Sequence, residues 1–221
     1  MSMTQDPIPA AAPRIELNGP APDFTANTTH GPINFHEWKG DKWCILFSHP
    51  ADFTPVCTTE FVQFTRRFAE FERRNVKLIG NSVDSIYSHV AWVRNIEQNF
   101  DAKVPFPVIA DLDQKVARTY GMLHEPVSVT AAVRCVFFID PKNTVRAMIY
   151  YPLNVGRNFD EILRVVDALQ MADKHGVAAP ADWKPGDEVI VPPPVTAADA
   201  EKRAASTEYA VTDWYFSKKK L

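Results

Sequence analysis

The 221-residue sequence predicts an α/β fold, a central sheet flanked by helices, followed by a small C-terminal domain or arm. Three observations carry this expectation. Short continuous apolar runs alternate with longer amphipathic stretches. The clearest of those stretches, residues 156–170, opens on a capping asparagine. Composition then shifts near Ala179 into a proline-rich segment and a cluster of aromatic residues.

In chain order, residues 43–49 (WCILFSH) form an apolar run too short for a typical helix and read as a buried central strand. A helix then opens at Thr54 as N-cap with Pro55 at its first position, where a missing N–H has no cost. Phe61, Phe64, Phe68 and Phe71 follow at helical spacing with Arg66, Arg67, Glu70 and Arg73 between them, one amphipathic helix with an aromatic stripe. The run VKLIGNSVD is a strand and turn, and Asp84 or Ser85 caps a helix with Ile86, Val90, Val93 and Ile96 on its buried face. VPFPVIAD is a short strand. VRCVFFID and TVRAMIYY are neighbouring strands joined by the turn formers Asp140, Pro141, Lys142 and Asn143. The last helix has Asn158 as N-cap and Glu161 three residues on, close to a capping box, with Phe159, Ile162, Leu163, Val166 and Leu169 inward. This order fits a thioredoxin-like core over residues 14–175, preceded by a flexible lead-in, 1–13. Residues 176–221 make a small C-terminal domain or dimerisation arm. Its prolines favour extended segments, TAADAEKRAA offers a short helix, and the final SKKKL reads as a solvated basic tail.

Net charge is −3, and no long Lys or Arg run points to nucleic acid. No apolar run reaches the roughly 18 residues of a membrane span. The first residues lack the basic and apolar regions of a secretory signal, which leaves a cytoplasmic location as the expectation. Three cysteines make no disulfide framework and suit a reducing compartment. The six histidines show no metal-binding spacing, so neither a metal nor another cofactor is expected.

The cysteines differ in setting. Cys44 and Cys135 lie inside apolar strands, where a thiol is a small inert hydrophobe. Cys57 follows a polar loop and falls in the first turn of a helix, where unpaired backbone N–H groups favour negative charge and so the reactive thiolate. From residues alone, Arg134 reads as a strand-edge charge, Glu60 as a first-turn acid, Arg157 as a helix-start residue and His49 as a polar strand end.

The spacing Pro50-x-x-x-Thr54-x-x-Cys57, inside SHPADFTPVCTTE, resembles the active-site motif of the peroxiredoxins. The segment SVDS with His89 and Trp92 downstream, VRCVFFID, YPLNVGRNFDEILRVVDALQ and DWKPGDEVIVPP extend the resemblance over about residues 15–194, to the one-cysteine, peroxiredoxin-6-type branch. The resemblance implies a thiol peroxidase acting on hydrogen peroxide and organic hydroperoxides. Cys57 would be the nucleophile that becomes a sulfenic acid. Thr54 would hydrogen-bond the peroxide, and Pro50 would shield the thiolate. Arg134 would stabilise thiolate and peroxide. His49 would bond the sulfur or the peroxide, Glu60 would orient Arg134, and Arg157 would play a supporting role. No cysteine follows Cys135, so an external thiol or other small reductant would regenerate the enzyme, acting on a homodimer or larger homo-oligomer. Some members of the branch also carry a phospholipase serine in a Gly-Asp-Ser-x-Gly segment. Here that segment reads Gly40, Asp41, Lys42, Trp43, Cys44, and Lys42 cannot supply an acyl-accepting hydroxyl, although His36 is retained. A peroxide sensor, or a thioredoxin-like chaperone or binding protein, is the competing reading. The intact Pro50, Thr54, Cys57 and Arg134 set argues against the non-catalytic one, and turnover with excess reductant separates a sensor from a scavenger.

Overall fold

The computed structural model describes residues 15–221, so the lead-in expected over 1–13 lies outside the described residues. The chain divides into two compact units, Met1–Arg157 and Asn158–Leu221.

In the first unit the strands are β1 (Thr25–Thr28), β2 (Gly31–Asn34), β3 (Trp43–Ser48), β4 (Val76–Ser82), β5 (Val108–Ala110), β6 (Arg134–Ile139) and β7 (Val145–Tyr151). They form one sheet in the order β2-β1-β5-β4-β3-β6-β7. β3, β4 and β5 are parallel neighbours, whereas β6 runs antiparallel to both β3 and β7. This is the mixed sheet expected of a thioredoxin-like core, and WCILFS is its fully buried central strand.

Side chains alternate across a strand, so register sorts them onto two faces. Cys44, Leu46, Ile79, Cys135, Phe137 and Ile139 share one face and one apolar cluster. Phe35 of helix α1 (Phe35–Lys39) and Val116 and Ala117 of α5 (Lys115–Thr119) join that cluster. Ile45, Phe47, Leu78, Gly80, Val136 and Arg134 point to the other face. There Phe47 meets Phe61 and Phe64 of α2 (Pro55–Arg66), with ring centroids 5.7 and 4.0 Å apart. Gly80 permits that approach. A Cβ on it would stand 3.2 Å from Phe47 and 3.3 Å from Phe61.

Two helices depart from the sequence expectation. The aromatic helix breaks at Arg67 (φ −98°, ψ 7°) and resumes as α3 (Phe68–Glu72). Beyond the break Phe71 is buried and Phe68 only half-buried. Ser85 does cap α4 (Ile86–Phe100), but the buried face is His89, Trp92 and Ile96, with Val90 exposed. Counting only apolar residues placed the stripe one position off. His89 enters the interior because both its ring nitrogens find partners there, as described below.

Lys39 is fully buried without a carboxylate partner. Its ammonium lies 2.9 Å from the carbonyl oxygen of Gly40, 3.0 Å from those of Lys42 and Asp140, and 3.3 Å from that of Pro141. Burial pushes its pKa down.

The second unit opens with α6 (Phe159–His175). The Asn158 side chain accepts from the N–H groups of Asp160 and Glu161, the expected cap. Phe159, Ile162, Leu163 and Val166 are buried as expected, Leu169 only partly. The proline-rich segment does own a small core, contrary to a wholly extended arm. Val177, Trp183 and Val189 pack together with Ala168, Met171 and Ala179. β8 (Val189–Val191), β9 (Ala210–Asp213) and β10 (Phe216–Lys219) form a sheet in the order β8-β10-β9, and α7 (Ala197–Ala204) is the short helix expected of TAADAEKRAA. The segment read as a solvated tail therefore contributes to the central strand of this sheet, with Ser217 buried between half-buried Phe216 and Lys218. Charge alone misled there, because the lysine stems can flank a paired backbone while their ammonium groups reach water. Among the described residues, no helix is long and apolar enough to cross a membrane.

Candidate active site

Thr54 is the backbone N-cap of α2 and Pro55 its first residue, which puts Cys57 in the first turn. The Thr54 hydroxyl does not cap the helix. It donates to the Ala51 carbonyl at 2.9 Å, closing the loop that follows Pro50. The first turn thus has no side-chain cap, and its backbone dipoles act on a sulfur that is fully buried.

The start of β6 brings in Arg134, whose Nη1 donates to Cys57 Sγ at 3.2 Å and to Glu60 Oε2 at 2.8 Å. Its Nε donates to the Leu153 carbonyl at 3.0 Å, which fixes the plane of the guanidinium. Glu60 stands one helical turn after Cys57. Its Oε1 accepts from the backbone N–H and Nε of Arg157 at 2.9 and 3.0 Å, and its Oε2 accepts from Arg157 Nη2 at 2.6 Å. Arg157 Nη1 donates to the Cys135 carbonyl at 3.0 Å, and its guanidinium lies 5.1 Å from the Phe47 ring centroid. Glu60, Arg134 and Arg157 are all buried. Burial pushes the Glu60 carboxyl up, but Arg157, by charge and hydrogen bonds, and then Arg134 outweigh it and hold the carboxyl below its ordinary range. Two guanidiniums and one carboxylate sum to one uncompensated positive charge, and Arg134 delivers it to the Cys57 sulfur.

His49 ends β3 on the same side. Its Nε2 lies 2.9 Å from Asp52 Oδ1, and its Nδ1 is buried without a partner. The expected hydrogen bond from His49 to sulfur is not formed. Asp52 instead bridges His49 and His89, whose Nδ1 lies 2.8 Å from Asp52 Oδ2. His89 Nε2 bonds the Ile109 carbonyl at 2.9 Å. Burial pushes the Asp52 carboxyl up, but the hydrogen bonds from both imidazoles outweigh it and hold it well below the carboxylate range. Burial pushes His49 down against the opposing pull of Asp52. These three side chains offer donor atoms within 4.8 Å of one another, the one cluster of metal-ligand type among the described residues. Sequence spacing missed it because its members sit on a loop, a strand end and a helix. The signal was the polar Asp52 inside the PADFT loop.

The other two cysteines lie across the sheet from α2, on the face of Leu46 and Phe137. Cys135 bonds the Ser48 hydroxyl at 2.8 Å, and burial pushes its thiol up to about 11. Burial pushes the Cys44 thiol up as well. Lys42 is exposed, and His36 Nε2 lies 3.0 Å from the Ala21 carbonyl, so no acyl-accepting hydroxyl stands at that position.

A thiol in a helix first turn, held by a buried arginine above a mixed sheet, suits peroxide chemistry, and comparison with known proteins agrees. Residues 17–148 match the AhpC/TSA family, and residues 168–207 match the C-terminal domain of 1-Cys peroxiredoxin. A peroxiredoxin of Aquifex aeolicus is 54% identical over 215 residues, covering 93% of this chain and 96% of that one. The structure of a yeast mitochondrial 1-Cys peroxiredoxin, described as resolved through glutathione and thioredoxin systems, matches with a TM-score of 0.84 at 44% identity. It covers 94% of this chain and 100% of that one. A variant of peroxiredoxin 6 from Arenicola marina matches with a TM-score of 0.82 at 38% identity, over 93% and 98% of the two chains. With its family match over most of the first unit and its C-terminal match in the second, the chain belongs to the peroxiredoxins, thiol peroxidases, in their one-cysteine branch.

Proposed function

We propose that Cys57 is the peroxidatic nucleophile of this thiol peroxidase and that Arg134 is its electrostatic partner. The observation that carries this reading is the 3.2 Å contact between Arg134 Nη1 and the buried Cys57 sulfur. The thiolate attacks the terminal oxygen of the peroxide, the O–O bond breaks, and the other oxygen leaves as water or alcohol once protonated. Cys57 is left as a sulfenic acid. Arg134 stabilises the thiolate and the charge developing on the breaking O–O bond. Glu60 orients Arg134, and Arg157 holds Glu60. Thr54 keeps a lone pair for the peroxide proton, Pro50 limits water at the sulfur, and His49 Nδ1 is an acceptor for the peroxide or the sulfenic hydroxyl.

An external thiol completes the cycle. One thiol displaces water from the sulfenic acid to give a mixed disulfide, and a second releases Cys57 and a low-molecular-weight or protein disulfide. The placement of Cys44 and Cys135 across the sheet supports this route, since neither can reach Cys57 without breaking strand pairing. Three free cysteines suit the reducing cytoplasm. A peroxide-consumption assay with dithiothreitol, glutathione and thioredoxin identifies the reductant. When reductant is scarce, activity should fall during turnover as a second peroxide drives Cys57 to sulfinic or sulfonic acid. A mass gain of two or three oxygens on the Cys57 peptide would show it. A fast stoichiometric disulfide from Cys57 to Cys44 or Cys135 would overturn the one-cysteine route.

A homodimer or larger homo-oligomer is the proposed assembly. β7 is the last strand of its sheet; Val145 at its start exchanges backbone hydrogen bonds with Asn18 and Gly19, and among the described residues no other strand flanks the rest of its outer side, a template for a second copy. Residues 176–221, with Trp214 and Tyr215 exposed, are the proposed dimerisation arm, and 14–175 the proposed core domain. Light scattering at micromolar concentration should give at least twice the chain mass of 24.9 kDa, and a monomer would contradict it.

A further inference from the structure

The hydrogen bonds of His89 define a proton. Its Nε2 faces the Ile109 carbonyl, which only accepts, so Nε2 carries a hydrogen. Its Nδ1 lies 2.8 Å from Asp52 Oδ2. A neutral imidazole with its hydrogen on Nε2 has a bare lone pair on Nδ1, and an ionised carboxylate has only lone pairs. The two would repel at that distance in a dry site. The contact therefore holds one further proton between His89 Nδ1 and Asp52 Oδ2. The rest of the cluster follows. Asp52 Oδ1 accepts from His49 Nε2, so neutral His49 keeps its other nitrogen, Nδ1, unprotonated and buried without a partner.

The same aspartate fastens the loop. The Asp52 backbone N–H donates to Asp84 Oδ2 at 3.1 Å, and that oxygen also accepts from the Ser82 hydroxyl at 2.7 Å. Loop 50–54 is thus tied to β3 through His49, to α4 through His89, and to the end of β4 through Asp84. Trp92 and Phe61 wall the cluster off, with ring centroids 5.0 and 4.9 Å from that of His49. Asp84 is the other charged group facing the cluster.

We propose that Asp52 and His89 are positioning residues for the peroxide step: the proton retained between them pins loop 50–54 and leaves His49 Nδ1 as a lone pair for substrate. This rests on assigning the loop and Cys57 to the peroxide step. Within the cluster both carboxylate oxygens of Asp52 and both ring nitrogens of His89 are engaged in hydrogen bonds, which leaves His49 Nδ1 as its one uncommitted ring nitrogen.

The test pairs spectroscopy with kinetics on the reduced full-length protein. Long-range proton–nitrogen NMR on ¹⁵N-labelled protein at neutral pH should show His89 with a proton on each nitrogen and His49 bare at Nδ1. His89→Asn keeps a donor near the Nδ1 position, toward Asp52. His89→Gln keeps one near Nε2, toward Ile109. Rapid mixing with hydrogen peroxide should find His89→Asn within about threefold of wild type. His89→Gln and Asp52→Asn should be slower on the order of 10–100-fold. The Asn/Gln pair decides the matter even if Asp52→Asn fails to fold. Equal rates for the two His89 variants would overturn the proposal. So would a neutral His89 beside an ionised Asp52, or a stoichiometric metal in the native protein. Peroxide turnover by Cys57→Ser protein would instead remove the site assignment and leave the NMR result standing.

Discussion

A Cys57→Ser variant should lose peroxide turnover by about 10³-fold or more, whereas Cys44→Ala and Cys135→Ala should keep most of it. The difference follows from geometry. All three thiols are buried, so exposure does not distinguish them. Only Cys57 lies on the arginine face of the sheet, with Arg134 Nη1 at 3.2 Å and no side-chain cap competing for the helix first turn. A serine hydroxyl at that position stays un-ionised at neutral pH and is a poor nucleophile toward a peroxide. The other two thiols are held protonated by burial on the opposite face. Alanine rather than serine keeps those positions free of an unpartnered hydroxyl. Coupled peroxide-consumption rates on the three purified variants check this. Substantial turnover by the Cys57 variant would end the mechanism.

The second large effect falls on Glu60. Its carboxylate accepts four hydrogen bonds from two buried arginines. In Glu60→Gln one acceptor oxygen becomes an NH₂ donor, so at least one arginine then faces a donor, and two guanidinium charges are left buried without a counter-charge. Removing one partner of a buried ion pair costs about 3–5 kcal/mol of stability. The peroxide step should slow by about 10²-fold, as Arg134 loses its orientation. The effect on stability carries a pH signature. The Glu60 carboxyl is held below its ordinary value in the folded protein, so its contribution is complete above the unfolded value of about 4.3 and is lost as pH falls through the lower folded value. The gap in Tm between wild type and Glu60→Gln should therefore be widest at neutral pH and narrow in acid. A gap unchanged from neutral pH into strong acid would refute the charge argument.

How much of this was legible in the sequence depends on whether the signal is local. Pro50, Thr54 and Cys57 sit within eight residues and announce a helix start, so the position of the thiol was readable from propensity alone. The Arg134–Glu60–Arg157 cluster joins a strand, a helix and a loop end up to nearly a hundred residues apart, and only the family resemblance pointed to it. Asp52 gave no spacing signal of its own, and His89 entered only through the family resemblance, because a buried histidine on a helix face breaks an apolar count. The resemblance gives His49 to the sulfur or the peroxide; its Nε2 is taken by Asp52 and its Nδ1 has no protein partner. In the second unit, prolines and lysines hid a strand whose pairing satisfies its backbone whatever its side chains carry.

Lys39 gives the sheet a built-in monovalent ion. Its ammonium occupies a ring of carbonyl oxygens much as a bound potassium ion would, but it is tethered by its own side chain and cannot be dialysed away or exchanged. The ring gathers the chain just before β3 begins and just after β6 ends, while Cys57 and Arg134 work at the other extremities of the same two strands. Six residues of strand put roughly 20 Å between the two ends. The β3–β6 pair is therefore clasped at one tip by a tethered ammonium, and any loosening that admits a bulky reductant to the sulfenic acid is expected at the opposite tip.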